Sequence, residues 1–71
     1  MKPEEWIEQF SAAIGADAPD ATTVDELLEL AAVAAHASER TAAPIACYLA
    51  GRDGRPISDL KELADEVDSG D

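Results

Sequence analysis

The sequence has few of the residues that several classes of protein require. It contains one cysteine, Cys47, one histidine, His36, and an aromatic fraction of only 4%. A single cysteine cannot form an intramolecular disulfide and cannot provide more than one ligand to a metal ion. We therefore expect neither a disulfide framework nor a zinc site, and no bound cofactor.

Basic residues and long apolar runs are also scarce. Five basic residues stand against sixteen acidic ones, which gives a formal net charge of −11. This excess of negative charge repels phosphate backbones and anionic headgroups, so nucleic acid and membrane surfaces are unexpected partners. No apolar run approaches the roughly 20 residues needed to cross a bilayer, and the N-terminal residues lack the apolar stretch of a secretory signal. The expected location is the cytoplasm.

What the chain does contain is a high fraction of small apolar residues in a short length. Its 71 residues are 46% hydrophobic, largely alanine, and leave room for one domain, residues 1–71. Alanine allows helices to approach closely, which predicts compact helix packing with few large pockets. A chain this short buries only about 60% of its unfolded surface, so its stability is expected to be low unless a partner or second copy adds to it. A monomer or a weak homodimer is expected.

Four segments place apolar residues at helical spacing, and no stretch alternates in the manner of a strand. The helices are predicted at about 3–14, 24–40, 43–50 and 58–67, and the second is apolar nearly all round and therefore central. The predicted fold class is all-α, a small four-helix domain. We expect the three aromatic residues, Trp6, Phe10 and Tyr48, to form part of its core.

Local signals predict where these helices begin and end. Gly15 and Gly51 are expected to end the first and third helices in a left-handed conformation. Thr23, followed three residues later by Glu26, is typical of a capping box at the start of the second helix. Ser58 is predicted to cap the fourth helix.

Candidate functional side chains surround the predicted third helix. His36 lies between alanines, which favours a hydrogen-bonded structural histidine near a helix-packing surface over a catalytic base. Arg40 precedes the third helix, where a phosphate or carboxylate would be favoured, although it also has Glu39 and Glu26 as possible ion-pair partners. Because no nucleophile can be tied to the histidine by spacing, we predict that the protein is not an enzyme.

Two further arginines occur in the glycine-rich segment after the third helix. Arg52 and Arg55 stand in the order Gly-Arg-Asp-Gly-Arg-Pro, which lacks the spacing of a phosphate-binding Walker motif. They are expected either to contact an acidic partner or to form a solvated loop that tempers the local charge.

The segment from Ala35 to Ile45, followed by Tyr48 to Gly51, resembles a small uncharacterised actinobacterial domain. That domain is found alone or fused to the molybdenum-cofactor guanylyltransferase, and the similarity runs over most of the chain. The pattern His-x-x-Glu-Arg-x-Ala-Ala-Pro corresponds here to His36, Glu39, Arg40, Ala42, Ala43 and Pro44. The sequence departs from it with Thr41 where a proline is common, and with an acidic final helix.

The resemblance implies an accessory role in synthesis of molybdopterin guanine dinucleotide, with the guanylyltransferase as a protein partner. The transferase's glycine-rich nucleotide-binding loop is absent from this sequence. The leading hypothesis is a non-catalytic interaction module whose candidate contact residues are His36, Glu39, Arg40, Pro44, Arg52 and Arg55. The alternative is a small anion or phosphate binder that uses Arg40 and the start of the third helix.

Overall fold

The computed structural model describes residues 1–69, with side chains described as far as residue 67. Four helices cover most of this range: α1 (Pro3–Ala13), α2 (Ala21–Ala37), α3 (Ala42–Asp53) and α4 (Ile57–Ser69). No strand occurs between residues 1 and 69. The prediction of a small all-α domain with four helices is confirmed.

The first helix begins and ends within one residue of its prediction. The backbone N–H of Lys2 donates to the carboxylate of Glu5 at 3.3 Å, and Pro3 occupies the first turn. At the other end Gly15 has φ of 74°, and its N–H donates to the carbonyl of Ala12. The N–H of Ala16 donates to the carbonyl of Ser11 at 2.8 Å, which completes a Schellman motif.

The second helix begins three residues before the predicted start. The carboxylate of Asp20, not the hydroxyl of Thr23, is the cap, since it accepts the backbone N–H of Thr23 at 2.8 Å. This hydrogen bond lowers the pKa of Asp20. The capping box predicted at Thr23 and Glu26 is therefore wrong, because an aspartate three positions upstream already satisfies that amide.

The helix also ends at Ala37 instead of Arg40. Ser38 has φ of −135° and ψ of −99°, outside the helical region. The carbonyls of Glu39 and Arg40 instead accept the backbone N–H groups of Ala42 and Ala43, at 2.9 and 3.1 Å. These two residues thus form the turn into α3, and cannot continue α2.

The third helix passes through Gly51 and ends at Asp53, with Gly54 as its C-cap. Gly54 has φ of 85°, and its N–H donates to the carbonyl of Ala50 at 3.3 Å. The prediction that Gly51 ends the helix is wrong, because the left-handed residue is the later glycine. The fourth helix begins at Ile57, and the carbonyl of Pro56 accepts the backbone N–H groups of Asp59 and Leu60. Ser58 therefore lies inside the helix and is not its cap.

The core is centred on α2, which packs against both α3 and α4. Leu30 of α2 and Ala50 of α3 are the buried apolar side chains of the described residues. Ala46, Leu60 and Ala64 adjoin them along a shallow groove of about 270 Å³ where the three helices meet. The thiol of Cys47 lies 3.9 Å from the carbonyl oxygen of Leu27, and burial raises its pKa.

The first helix makes no comparable packing contact with any other helix of the described chain. Trp6 and Phe10 stack on each other, with ring centroids 5.1 Å apart, yet remain 53% and 48% exposed. Tyr48 is likewise exposed on α3. The prediction that these three aromatics belong to the core is wrong, because α1 does not pack against the junction of α2, α3 and α4, and Tyr48 lies on the exposed side of α3.

Replacement of Leu30 by alanine is expected to destabilise the domain strongly. Leu30 is 4% exposed, and removal of a buried leucine side chain typically costs about 2 to 5 kcal/mol. Leu28→Ala on the same helix is the matched control, because its side chain is 63% exposed. Urea unfolding followed by circular dichroism should show a large loss for the first variant and little change for the second. Equal losses would contradict the assignment of the core.

The cap of α2 predicts a dependence of stability on pH. Because the folded-state pKa of Asp20 lies below its ordinary value of 3.8, the ionised form stabilises the fold above that value. This contribution is lost as the pH falls through the lower folded-state pKa. Asp20→Ala should lower the thermal midpoint at neutral pH, Asp20→Asn should largely retain it, and Asp17→Ala should leave it unchanged. A neutral-pH midpoint for Asp20→Ala equal to wild type would contradict the cap.

Candidate functional site

The structure places four of the sequence-predicted candidates around the connection from α2 to α3. His36 lies in the last turn of α2, Glu39 and Arg40 lie in the connection, and Pro44 lies in the first turn of α3. All four are exposed. The expectation that His36 lies near a helix-packing surface is therefore wrong. Within residues 1–67, Arg40 forms no ion pair with Glu39 or Glu26.

The start of α3 offers few donors for an anion. The backbone N–H groups of Ala42 and Ala43 already donate to the carbonyls of Glu39 and Arg40. The next residue, Pro44, has no N–H to donate. The free amides on which a phosphate site depends are thus largely occupied at this helix end.

The other two candidates lie at the far end of the same helix. A helix of 12 residues spans about 18 Å, so Arg52 and Arg55 do not share a site with Arg40. A guanidinium nitrogen of Arg52 donates to the hydroxyl of Tyr48 at 2.9 Å. The guanidinium carbon of Arg52 lies 5.7 Å from the centroid of the Tyr48 ring. Both groups are exposed, which makes this a surface cation–π contact.

Arg55 forms a two-point ion pair with Asp53. Its Nε and Nη2 donate to the two carboxylate oxygens at 2.6 and 2.9 Å. These hydrogen bonds lower the pKa of Asp53 and raise the pKa of Arg55. Arg52, in the last turn of α3, and Arg55, in the loop after it, are therefore both engaged within the chain, and the six sequence-predicted residues do not converge on one site.

The described residues contain no cluster of three or more histidine, cysteine, aspartate or glutamate side chains able to hold a metal ion. No helix in the same part of the chain is long and apolar enough to cross a membrane.

The most conspicuous surface feature of the described residues is uncovered apolar area. Of the seventeen large apolar side chains in the sequence, eleven are exposed and only Leu30 is buried. The chain exposes 5478 Å², whereas a compact monomer of its mass exposes roughly 4,250 Å². Its radius of gyration of 12.8 Å likewise exceeds the roughly 11 Å of a compact domain of this length. The prediction of compact packing holds for α2, α3 and α4 but not for α1.

A wide groove lies between α1 and the first half of α2. It has a volume of about 780 Å³ and is bordered on its third side by the loop residues Ala18 and Pro19. Its apolar lining comes mainly from Ile7, Leu27 and Leu28, and it also includes acidic side chains, Glu4, Glu8 and Asp25. We call this feature the α1–α2 groove.

The sequence held a partial signal for the groove. Glu4, Ile7, Glu8 and Ser11 recur at helical spacing and therefore share one face of α1. Ser11 is buried on this face, whereas the stacked pair Trp6 and Phe10 lies about 130° around the helix, towards its opposite side. What the sequence could not indicate is that α1 stands away from α2.

The fold and this groove define a small four-helix domain with an open apolar surface. A family model described as "Domain of unknown function (DUF6457)" matches residues 2–69. The chain therefore belongs to the DUF6457 family, which confirms the expected likeness to an uncharacterised domain over most of the chain. No curated protein and no solved structure matches the chain.

Proposed function

We propose that this chain is a non-catalytic protein-interaction module. The observation that supports the proposal is the exposure of eleven large apolar side chains in a domain that buries one. Exposed apolar surface that is larger than a monomer of this size normally shows marks a binding site for another macromolecule.

The openness of this surface favours a protein over a small ligand as the partner. Ile7 and Leu28 remain 38% and 63% exposed although they line the same groove. Small-ligand sites, in contrast, enclose most of the ligand.

The molybdenum-cofactor guanylyltransferase is our candidate for that partner. Support for it comes from the resemblance of His36 to Pro44 to the domain that is found fused to this enzyme. A module that binds the transferase as a separate chain would reproduce the association that fusion makes permanent. In that role the chain contributes contact surface, and the transferase contributes the nucleotide chemistry.

The test is an amide NMR titration of the isotopically labelled full chain with purified guanylyltransferase, GTP and inorganic phosphate in separate experiments. The transferase is expected to shift or broaden the amides of the exposed apolar residues on α1 and α2. GTP and phosphate should leave the spectrum unchanged, because the amides at the start of α3 already donate to Glu39 and Arg40.

Two results would count against the proposal. Saturable shifts of residues 40–45 with phosphate alone would favour the anion-binding alternative at Arg40. An unchanged spectrum at concentrations of transferase far above that of the labelled chain would remove the transferase as the partner.

A further inference from the structure

The α1–α2 groove has the size of a helix-binding site. Its two walls are α1, of 11 residues, and the first half of α2. At a rise of about 1.5 Å per residue, α1 offers a wall of roughly 16 Å, equal to three turns of a bound helix. Its volume of about 780 Å³ accommodates several leucine-sized side chains.

The apolar groups are placed as a helix-binding groove requires. Ile7 lies on one wall and Leu27 and Leu28 lie on the other. Leu28 is 63% exposed although it lines the groove, so its side chain remains available for contact. An amphipathic helix inserts residues spaced at i, i+3, i+4 and i+7 into such a groove.

The negative charge around the groove favours a bound helix with basic residues beside its apolar stripe. Glu4, Glu8 and Asp25 all lie in its lining. Residues 1–39, which include both walls, contain nine acidic residues and one lysine. A helix with lysine or arginine beside its apolar stripe is complementary to this surface, whereas an acidic helix is repelled.

The same charge argues against a second copy of this chain as the occupant. Of the helices in one copy, α1 and α4 are amphipathic but acidic, with Glu4, Glu5 and Glu8 on the first. Either of them would bring like charges against Glu4, Glu8 and Asp25. The third helix exposes the apolar residues Ile45 and Leu49, but its one basic residue, Arg52, already donates to Tyr48 and offers a single charge against three carboxylates.

We propose that the α1–α2 groove binds an amphipathic helix of a partner protein, with apolar side chains against Ile7 and Leu28 and basic residues against Glu4, Glu8 and Asp25. This inference rests on the proposed function and adds to it the docking surface and the chemistry of the partner.

The test uses two synthetic amphipathic peptides that share a leucine stripe at helical spacing and differ only in their flanks, lysine in one and glutamate in the other. Each is titrated into the labelled full chain and followed by amide NMR. The lysine peptide should shift α1 and the first half of α2 and bind at least about tenfold more tightly than the glutamate peptide. Added salt should reduce this difference.

Leu28→Lys and Ile45→Lys form a matched pair of variants. Their side chains are 63% and 59% exposed, but only Leu28 lines the groove. Leu28→Lys should weaken the lysine peptide about tenfold or more, whereas Ile45→Lys should bind it within about twofold of wild type. Circular dichroism melting of both variants verifies that each still folds.

Three results would overturn the groove assignment: equal affinity for the two peptides, shifts confined to α3, or equal weakening by both variants. Concentration-dependent shifts of the groove residues without peptide would assign the groove to a second copy instead. Binding of the guanylyltransferase that is insensitive to Leu28→Lys would reject the groove and leave the interaction module standing. Binding of the lysine peptide without binding of the guanylyltransferase would support the groove and reject the transferase as the partner.

Discussion

The packing of α2 against both α3 and α4 is the interaction on which the rest of the structure depends. Leu30 and Ala50 are buried at this junction, and Ala46, Leu60 and Ala64 line the groove beside it. Small side chains allow the three helices to approach closely, but they bury little apolar area. The domain is therefore stabilised by a narrow contact of α2 with α3 and α4, with Leu30 as its one large buried side chain. We call this contact the seam.

The seam leaves α1 outside the packed part of the domain. Because α1 makes no packing contact comparable to those of α2 with α3 and α4, its main connection to the seam is the loop that ends at Asp20. The Schellman motif at Gly15 and the cap at Asp20 fix the two ends of that loop. The space between α1 and the first half of α2 is the α1–α2 groove. Three of the chain's sixteen acidic residues, Glu4, Glu8 and Asp25, border this groove.

Most of the fold follows from apolar spacing along the sequence. Four helices were predicted, and the place of α2 at the centre followed from its nearly continuous apolar surface. Gly15 was correctly predicted to end α1, since a single glycine lies directly after the last apolar residue. The cap of α2 and the end of α3 were missed because a second residue able to take the same role lies three positions away in each case. Asp20 caps α2 in place of Thr23, and Gly54 caps the end of α3 in place of Gly51.

The candidate site was harder to predict, for a physical reason. Whether a large apolar residue is core or contact surface depends on which helices touch, and spacing gives only the face on which that residue lies. Trp6 and Phe10 have ideal core spacing, yet they stack on an exposed flank of α1. The arginines were visible as candidates, but their engagement with Tyr48 and Asp53 depends on where α3 ends.

The most direct test of this account is native-state hydrogen exchange of the free chain, measured residue by residue. Amides near Leu30 and Ala50 should be the most protected from exchange, because their hydrogen bonds break only when α2 separates from α3 and α4. Amides in the middle of α1 should exchange much faster, because few tertiary contacts hold that helix. Protection of α1 equal to that of α2 would contradict the claim that α1 stands apart and leaves an open groove for a partner.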